Sequence, residues 1–177
     1  YSCMGYEIPA GIGVRMADPA RDVFVMVGDG SYLMMNSELA TSVMLGLKIT
    51  VILTDNRGYG CINRLQQGTG GEPFNNLYVD SNIEVQPQID FVAHAAAMGA
   101  HAVKADGIAD LEAQIAAARS RDIPTVIVID TDPTHGPGFG EAGHWWDVAV
   151  PETGSTQKLK QAHADYLQQM ARQNLVN

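Results

Sequence analysis

Continuous apolar runs alternate along this chain with stretches of helical periodicity. Apolar runs of about four to eight residues are typical of strands buried on both faces of a parallel sheet. The sequence predicts strands at Val23–Val27, Lys48–Thr54, His101–Lys104 and Thr125–Ile129. It predicts helices between and after them, at Tyr6–Ala17, Tyr32–Leu45, Ile89–Met98, Ile108–Ser120 and Thr156–Gln173. This alternation indicates an α/β fold, with a mainly parallel sheet and helices on both of its faces.

Three stretches add detail to this prediction. In the first helix, the small residues Ala10, Gly11 and Gly13 are expected to form a face for close packing. Asn56–Gln88 follows no pattern and is predicted to be irregular, and a connection of that length in a compact domain is usually functional or mobile. Residues 131–177 are predicted to be a Gly/Pro-rich tail with a final helix, within a single domain that spans residues 1–177.

Composition and charge exclude several classes of protein. The chain has 11 Lys and Arg against 20 Asp and Glu, a net charge of −9 without a basic stripe, which argues against nucleic-acid binding. No apolar run reaches the roughly 20 residues of a membrane span. Cys3 and Cys61 form no CxxC pair and no secretory signal is present, so a reducing cytoplasm is the expected location. The acidic charge does not exclude an anionic ligand, because metal ions and backbone N–H groups bind phosphate without basic side chains.

Two glycine-flanked turns follow predicted strands and carry oxygen-bearing side chains. One is Gly28-Asp29-Gly30-Ser31 and the other is Asp55-Asn56-Arg57-Gly58. In parallel α/β sheets, ligands bind outside the carboxyl ends of the strands, where both turns are predicted to lie. Each turn alone is equally well explained as an ordinary turn. The two together, separated by one helix and one strand, are more specific.

The oxygen atoms of the two turns suit a magnesium ion that carries a diphosphate. Mg²⁺ prefers six oxygen ligands, and phosphate oxygens supply some of them. Asp29, Asn56 and the carbonyl of Gly58 would supply a carboxylate, an amide oxygen and a backbone oxygen. Gly30 and Ser31 begin the next predicted helix, where N–H groups and the Ser31 hydroxyl would meet a phosphate.

The Gly28-Asp29-Gly30 turn, followed by Asn56 after a buried strand, resembles the signature of thiamine-diphosphate enzymes. Those enzymes carry it in the domain that binds the diphosphate of the cofactor. The resemblance extends over most of the chain. The sequence is similar to acetolactate-synthase-like members of the family at Tyr1–Gly11, Ser37–Thr41, Asp90–Ala100 and Ile123–Pro133. It implies a thiamine-diphosphate-binding fold, with thiamine diphosphate and Mg²⁺ as cofactors.

The resemblance also implies which residues hold these cofactors. Asp29, Asn56 and Gly58 would be the Mg²⁺ ligands, and Met4 would support the thiazolium ring from below. The residues implied to contact the organic cofactor are Ser2, Met4, Gly5, Gly30, Ser31, Tyr59 and Gly60. Two residues depart from the family pattern: Asp55 stands where many relatives have Asn, and Glu7 where they often have Gly. Neither is expected to touch the ligands of the metal.

A narrower resemblance concerns the reaction. The segments Tyr1–Gly11 and Glu141–Pro151 are similar to the members that hydrolyse a cyclic diketone in inositol breakdown. This similarity implies cleavage of a C–C bond next to a carbonyl group in a small-molecule substrate. Two alternatives are an acetolactate-synthase-like lyase or transferase acting on 2-keto acids, and a non-catalytic module that binds magnesium and phosphate.

In this family, the glutamate that activates the cofactor lies in a separate pyrimidine-binding domain of another subunit. This sequence contains no such domain. We therefore expect the chain to be a C-terminal fragment of a longer enzyme, a homodimer or homotetramer, with no catalytic residue of its own. On this expectation the fragment alone is inactive.

The remaining histidines and the tail are weaker candidates for chemistry. In the tail, His135, Glu141, His144 and Asp147 have no helical ligand spacing, so a metal site there is not favoured. Trp145 and Trp146 of the same tail are expected to anchor it. The other histidines, expected to be structural or solvated, are His94, His101 and His163.

Overall fold

The structure, a computed structural model, describes residues 3–133 and 150–171. The chain divides into two compact units. The first comprises Tyr1–Gly58 and Pro87–Thr131, and the second comprises Tyr59–Gln86 and Asp132–Asn177. The tail residues His135, Glu141, His144, Asp147, Trp145 and Trp146, and Ser2 at the other end, lie outside the described residues.

A four-stranded sheet with the order β1-β2-β4-β3 forms the centre of the first unit. Its strands are β1 (Phe24–Gly28), β2 (Thr50–Asp55), β3 (His101–Ala105) and β4 (Thr125–Asp130). Every neighbouring pair in this sheet is parallel. The predicted parallel sheet is therefore confirmed, and its strands all end at the same edge.

Helices surround the sheet in the first unit and make up the regular structure of the second. The first unit contains α1 (Glu7–Ala17), α2 (Asp29–Met34), α3 (Ser37–Met44), α5 (Phe91–Ala97) and α6 (Ile108–Ala118). The second contains α4 (Gly60–Gly68), a 3₁₀ turn (Tyr78–Asp80) and α7 (Gln157–Met170). No helix among the described residues has both the length and the apolar character that a bilayer span requires.

The sheet of the first unit carries apolar packing on both faces. On one face, Ile8 of α1, Leu39 of α3 and Phe91 of α5 pack with Val25 and Val51. On the other, Leu111 and Ile115 of α6 pack with Ile52, Ile127 and Ile129. The prediction of helices on both faces is thus confirmed, and removal of this apolar surface from water stabilises the fold.

Strand β1 differs from the prediction that both of its faces are buried. Val25 and Val27 are buried, but Phe24 is 40% exposed and Met26 is 70% exposed. The cause is the position of β1 at one edge of the sheet. Helix α6 contacts β3 and β4, which lie towards the other edge. An apolar run therefore did not distinguish an edge strand from a central one.

The helix predicted at Tyr32–Leu45 is two helices, and the first begins earlier. Helix α2 starts directly at Asp29, and Met35 has the non-helical angles φ −140° and ψ 38°. The Asn36 amide donates to the carbonyl of Leu33 at 3.2 Å. Such a local side-chain bond offers the backbone an alternative to continued helix, which accounts for the break.

The prediction that Asn56–Gln88 is irregular was wrong for residues 60–68, which form α4. This helix is nine residues long and has few apolar residues, so the sequence offers only a short pattern there. The glycine-rich segment after it is a tight turn, in which Gly70 has φ +91° and a Cβ there would lie 2.7 Å from the Cα of Leu159. Close approach of α7 therefore requires glycine at position 70.

The predicted packing face of α1 is correct for Gly11 and wrong for Gly13. A Cβ at Gly11 would overlap Cγ2 of Val25, so the helix lies directly against β1. Gly13 is exposed, and nothing lies within 4 Å of a Cβ built there. These two glycines, two positions apart on one helix, form a matched pair.

We predict that Gly11→Ala destabilises the chain and that Gly13→Ala does not. The overlap with Val25 should cost about 1–3 kcal/mol of the free energy of unfolding. At the open position 13, alanine should raise stability by roughly 0.5–1 kcal/mol, because glycine is a poorer helix former. Urea unfolding of both variants measures the difference, and equal effects of the two substitutions would contradict the packing described.

Candidate metal centre

The two turns singled out in the sequence meet at the carboxyl edge of the sheet. Gly28 pairs with Thr54 in the register between β1 and β2, so the residues after both strands are neighbours. Asp29 begins α2 on one side, and Asn56 follows β2 on the other. The parallel register thus brings together side chains that are 27 positions apart in the chain.

The Asp29 carboxylate joins the two turns by hydrogen bonds. Its Oδ2 accepts from the backbone N–H of Gly58 at 2.7 Å, and its Oδ1 accepts from that of Asn56 at 3.3 Å. The residue is only 1% exposed. These bonds hold the second turn in a fixed position against the start of α2.

The side-chain amide of Asn56 lies between two further oxygens. One terminal atom of this amide is 3.1 Å from Asp29 Oδ1 and 2.9 Å from the carbonyl oxygen of Gly58. With the NH₂ group in that position, the amide donates to both oxygens. With the amide oxygen there, three oxygens converge without a donor between them.

The spacing of these oxygens matches a magnesium ligand set. Mg–O distances of about 2.1 Å place neighbouring ligands of an octahedron roughly 3 Å apart. The distances of 3.1 and 2.9 Å around Asn56 agree with that value. A carboxylate, an amide oxygen and a backbone carbonyl are also the ligand types that Mg²⁺ prefers. Asp29, Asn56 and Gly58 therefore fit a magnesium ion.

The electrostatics of Asp29 favour a cation. Burial raises the pKa of the Asp29 carboxyl, the N–H groups of Gly58 and Asn56 oppose this, and the nearby Asp55 carboxylate raises it further. A buried carboxylate of this kind is stabilised as an anion by a bound cation. Within residues 3–133 and 150–171, no cluster of three His, Cys, Asp or Glu residues is arranged for a metal. This site uses a single carboxylate, so it does not depend on such a cluster.

The backbone of the second turn adopts unusual conformations. Arg57 has φ +65°, and Gly58 has φ +142°. The value at Gly58 lies where a side chain is rarely accommodated, so glycine is required there. Arg57, in contrast, is one of two non-glycine residues with positive φ within the described residues. This geometry directs the N–H of Gly58 to Asp29.

Ser31 connects α2 to the N-terminal segment. Its hydroxyl donates to Glu7 Oε1 at 2.6 Å and accepts from the backbone N–H of Gly5 at 2.9 Å. Gly5 has φ +96°, and a Cβ there would lie 2.9 Å from Cβ of Met34. Met4, which is half-buried, precedes this contact. The structure thus brings Gly5 to Ser31.

The other residues implied for the cofactor have different placements. Gly30 is buried beside Asp29 at the start of α2. Tyr59 and Gly60 belong to the second unit, where Tyr59 precedes α4 and its N–H donates to the carbonyl of Asn76 at 2.7 Å. His94 is structural, as expected, because its Nδ1 lies 3.0 Å from the hydroxyl of buried Tyr32.

Sequence reasoning missed the part played by Glu7 and Asp55 around this centre. Neither supplies one of the three oxygens, but Glu7 binds Ser31 and Asp55 accepts from the N–H of Arg57 at 3.0 Å. In turns, an Asp side chain often accepts a hydrogen bond from the backbone N–H two residues later. Asp55 in a predicted turn therefore indicated a bond to the N–H of Arg57. The Glu7 contact depends on tertiary packing and had no local signal.

Comparisons with known proteins identify a family and relatives for this chain. The family described as "Thiamine pyrophosphate enzyme, C-terminal TPP binding domain" matches residues 1–129. The 3D-(3,5/4)-trihydroxycyclohexane-1,2-dione hydrolase 2 of Bacillus cereus (strain ZK / E33L) is 37% identical over 169 aligned residues, and the match covers 92% of this chain and 26% of that protein. The corresponding hydrolase of Shouchella clausii (strain KSM-K16) is 36% identical over 164 residues, 92% of this chain and 25% of that protein.

Solved structures of thiamine diphosphate-dependent enzymes have the same fold. The Rhodococcus jostii RHA1 4-hydroxybenzoylformate decarboxylase superposes with a TM-score of 0.62 at 26% identity, over 73% of this chain and 23% of that one. The benzoylformate decarboxylase from Polynucleobacter necessarius superposes with a TM-score of 0.61 at 23% identity, over 76% of this chain and 25% of that one, a likeness of fold alone. The chain spans about a quarter of the length of the curated relatives it matches.

We predict that ionisation of Asp29 lowers the stability of the metal-free chain. Because burial raises the pKa of Asp29 in the folded state, the folded chain binds its proton more tightly than the unfolded chain. Wild-type stability relative to Asp29→Asn should be greatest below the ordinary pKa of 3.8 and should fall as the pH rises through the folded pKa.

Urea unfolding in EDTA between about pH 3 and pH 7 measures this difference. Asp122→Asn, at an exposed position on the same unit, serves as the baseline variant. A wild-type advantage over Asp29→Asn that grows with pH would contradict the prediction.

Proposed function

Since this chain belongs to the family of thiamine pyrophosphate enzymes, as their C-terminal TPP-binding domain, we propose that it holds thiamine diphosphate through a magnesium ion. Asp29, Asn56 and the carbonyl of Gly58 would be the protein ligands of that ion. The parent enzyme would cleave a C–C bond next to a carbonyl group.

One observation carries the magnesium assignment. Oxygens of Asp29 and Gly58 lie 3.1 and 2.9 Å from the same terminal atom of the Asn56 amide, as neighbouring ligands of Mg²⁺ would. The site contributes one negative charge, so a bound Mg²⁺ keeps a net positive charge for a diphosphate. Two carboxylates would have neutralised it.

The other residues of the chain would bind and orient the cofactor. Gly30 and Ser31 follow the metal ligand Asp29 directly, and the tie from Ser31 to Gly5 holds the segment of Met4 beside α2. Met4 and Gly5 would then contact the organic rings, as would Ser2, while Tyr59 and Gly60 would line the diphosphate. When bound, thiamine diphosphate supplies a nucleophilic carbon and an electron sink for cleavage next to a carbonyl.

For the substrate, we propose a cyclic diketone that the parent enzyme hydrolyses, in inositol breakdown. Support comes from relatives named as trihydroxycyclohexanedione hydrolases at 36–37% identity over 92% of this chain. An acetolactate-synthase-like lyase acting on 2-keto acids is the second candidate. It is favoured by the likeness to the 4-hydroxybenzoylformate decarboxylase. A non-catalytic magnesium and phosphate module is the third.

The assembly follows from the same proposal. The group that activates the cofactor would come from the pyrimidine-binding domain of another subunit, in a cytoplasmic homodimer or homotetramer. In that assembly, the residues of this chain would bind and orient the cofactor, and none of its described residues would move a proton of the substrate. This chain alone would therefore be inactive.

We predict that Asp29→Ala abolishes magnesium-dependent binding of thiamine diphosphate by the full-length protein. The substitution removes the carboxylate ligand and the acceptor of two N–H groups. Calorimetric titration of thiamine diphosphate in the presence of Mg²⁺ measures the loss, and Asp122→Ala is the control at an exposed carboxylate.

Unchanged affinity in Asp29→Ala would refute the metal assignment. A thermal-shift comparison of thiamine diphosphate with ADP separates the cofactor site from a general phosphate module. Equal stabilisation of the wild type by the two diphosphates would favour the module.

We predict that the full-length protein consumes a cyclic diketone faster than pyruvate, and that the isolated chain consumes neither. Turnover of either substrate would require the complete active site, to which the pyrimidine-binding domain would contribute. Product analysis with Mg²⁺ and thiamine diphosphate distinguishes the two substrates. Faster consumption of pyruvate would support the lyase, and turnover by the isolated chain would refute the proposed sharing of the site between subunits.

A further inference from the structure

Arg57 occupies an unfavourable backbone conformation in the middle of the turn proposed to bind the metal. Its φ of +65° lies in the left-handed region, which an L-residue with a long side chain rarely adopts. It stands between the proposed ligands Asn56 and Gly58. The direction of the Gly58 N–H and carbonyl therefore depends on the conformation at Arg57.

Two carboxylates at the ends of neighbouring strands hold the Arg57 guanidinium. Its NH1 lies 3.4 Å from Asp55 Oδ2, and its NH2 lies 3.6 Å from Asp130 Oδ1. Asp55 and Asp130 are direct partners in the register of β2 and β4, so the guanidinium lies between two like charges. The Asp55 side chain is 4% exposed, which limits the screening of its ion pair.

The backbone of Arg57 is held as well as its side chain. Its N–H donates to Asp55 Oδ1 at 3.0 Å. The Asp55 carbonyl in turn accepts from the N–H of Thr131 at 2.8 Å, which anchors Asp55 to the end of β4. One carboxylate thus accepts from the N–H of Arg57 and pairs with its guanidinium, while Asp130 engages the other side of the same group.

We infer that Arg57 is a positioning residue for the proposed metal centre, held by Asp55 and Asp130 so that Gly58 faces Asp29. This inference rests on the proposed function. Lys104 lies 2.7 Å from the other carboxylate oxygen of Asp130, at an exposed position, and belongs to the outer part of the cluster.

The test measures the affinity of the full-length protein for Mg²⁺ at saturating thiamine diphosphate. Mn²⁺, followed by electron paramagnetic resonance, is a second probe of the same site. Arg57→Ala should raise the dissociation constant about tenfold or more, the usual effect of losing a residue that orients a metal ligand. Arg57→Gly should lose less than Arg57→Ala, because glycine tolerates a positive φ although the ion pairs are gone.

Conservative and control variants separate positioning from general stability. Arg57→Lys should recover part of the affinity, since one ammonium group reaches only one carboxylate at a time. Lys104→Ala should stay within about twofold of the wild type, because it removes an exposed pair with Asp130 and leaves Arg57 in place. The double variant Asp130→Asn with Arg57→Ala should bind Mg²⁺ no more weakly than the single variant with the lower affinity, because both substitutions remove the same contact.

Each outcome decides between the inference and the function on which it rests. A wild-type protein without magnesium-dependent binding of thiamine diphosphate overturns both. A wild type that binds, with Arg57→Ala binding equally well, overturns the positioning role alone. Equal losses in Lys104→Ala and Arg57→Ala would also overturn it. Circular dichroism confirms that each variant is folded. If Arg57→Ala does not fold, the Mg²⁺ affinities of Arg57→Lys and Asp130→Asn test the positioning role instead.

Discussion

The hydrogen bonds from the Asn56 and Gly58 backbone to the Asp29 carboxylate are the interaction on which the candidate centre depends. They connect the start of α2 with the turn after β2, across 27 and 29 positions of sequence. Only a parallel register places the two turns side by side, because both strands must end at the same edge. Without this carboxylate, the two N–H groups would lose their acceptor, at the cost of leaving buried donors unsatisfied.

The ionised form of the same carboxylate is only partly stabilised in the metal-free chain. Burial and the neighbouring Asp55 raise the pKa of Asp29, so its ionised form is stabilised less than it would be in water. Backbone N–H groups compensate for some of this, and a divalent cation would compensate for much more. A bound cation would therefore stabilise this buried carboxylate further.

Two further groups of contacts hold the surroundings of Asp29 in place. On one side, Ser31 joins Gly5 and Glu7, so the N-terminal segment is bound to α2. On the other, Asp55 and Asp130 hold Arg57 in its unusual conformation. Position 57 would be easier for glycine, so the ion pairs offset a backbone cost. Both groups join elements that are distant in sequence.

The sequence by itself determined the strands, the parallel α/β class and the pair Asp29 and Asn56, because apolar runs and glycine-flanked turns are local signals. It did not determine that β1 lies at an edge with Met26 exposed, since strand order depends on pairing between distant segments. Helix α4 was missed because it is short and few of its residues are apolar. Asp55 and Asp130 are neighbours only because of the register of β2 and β4, and the Arg57 guanidinium lies between their carboxylates. Local chemistry therefore identified the candidate ligands, and tertiary structure alone decided what holds those residues in position.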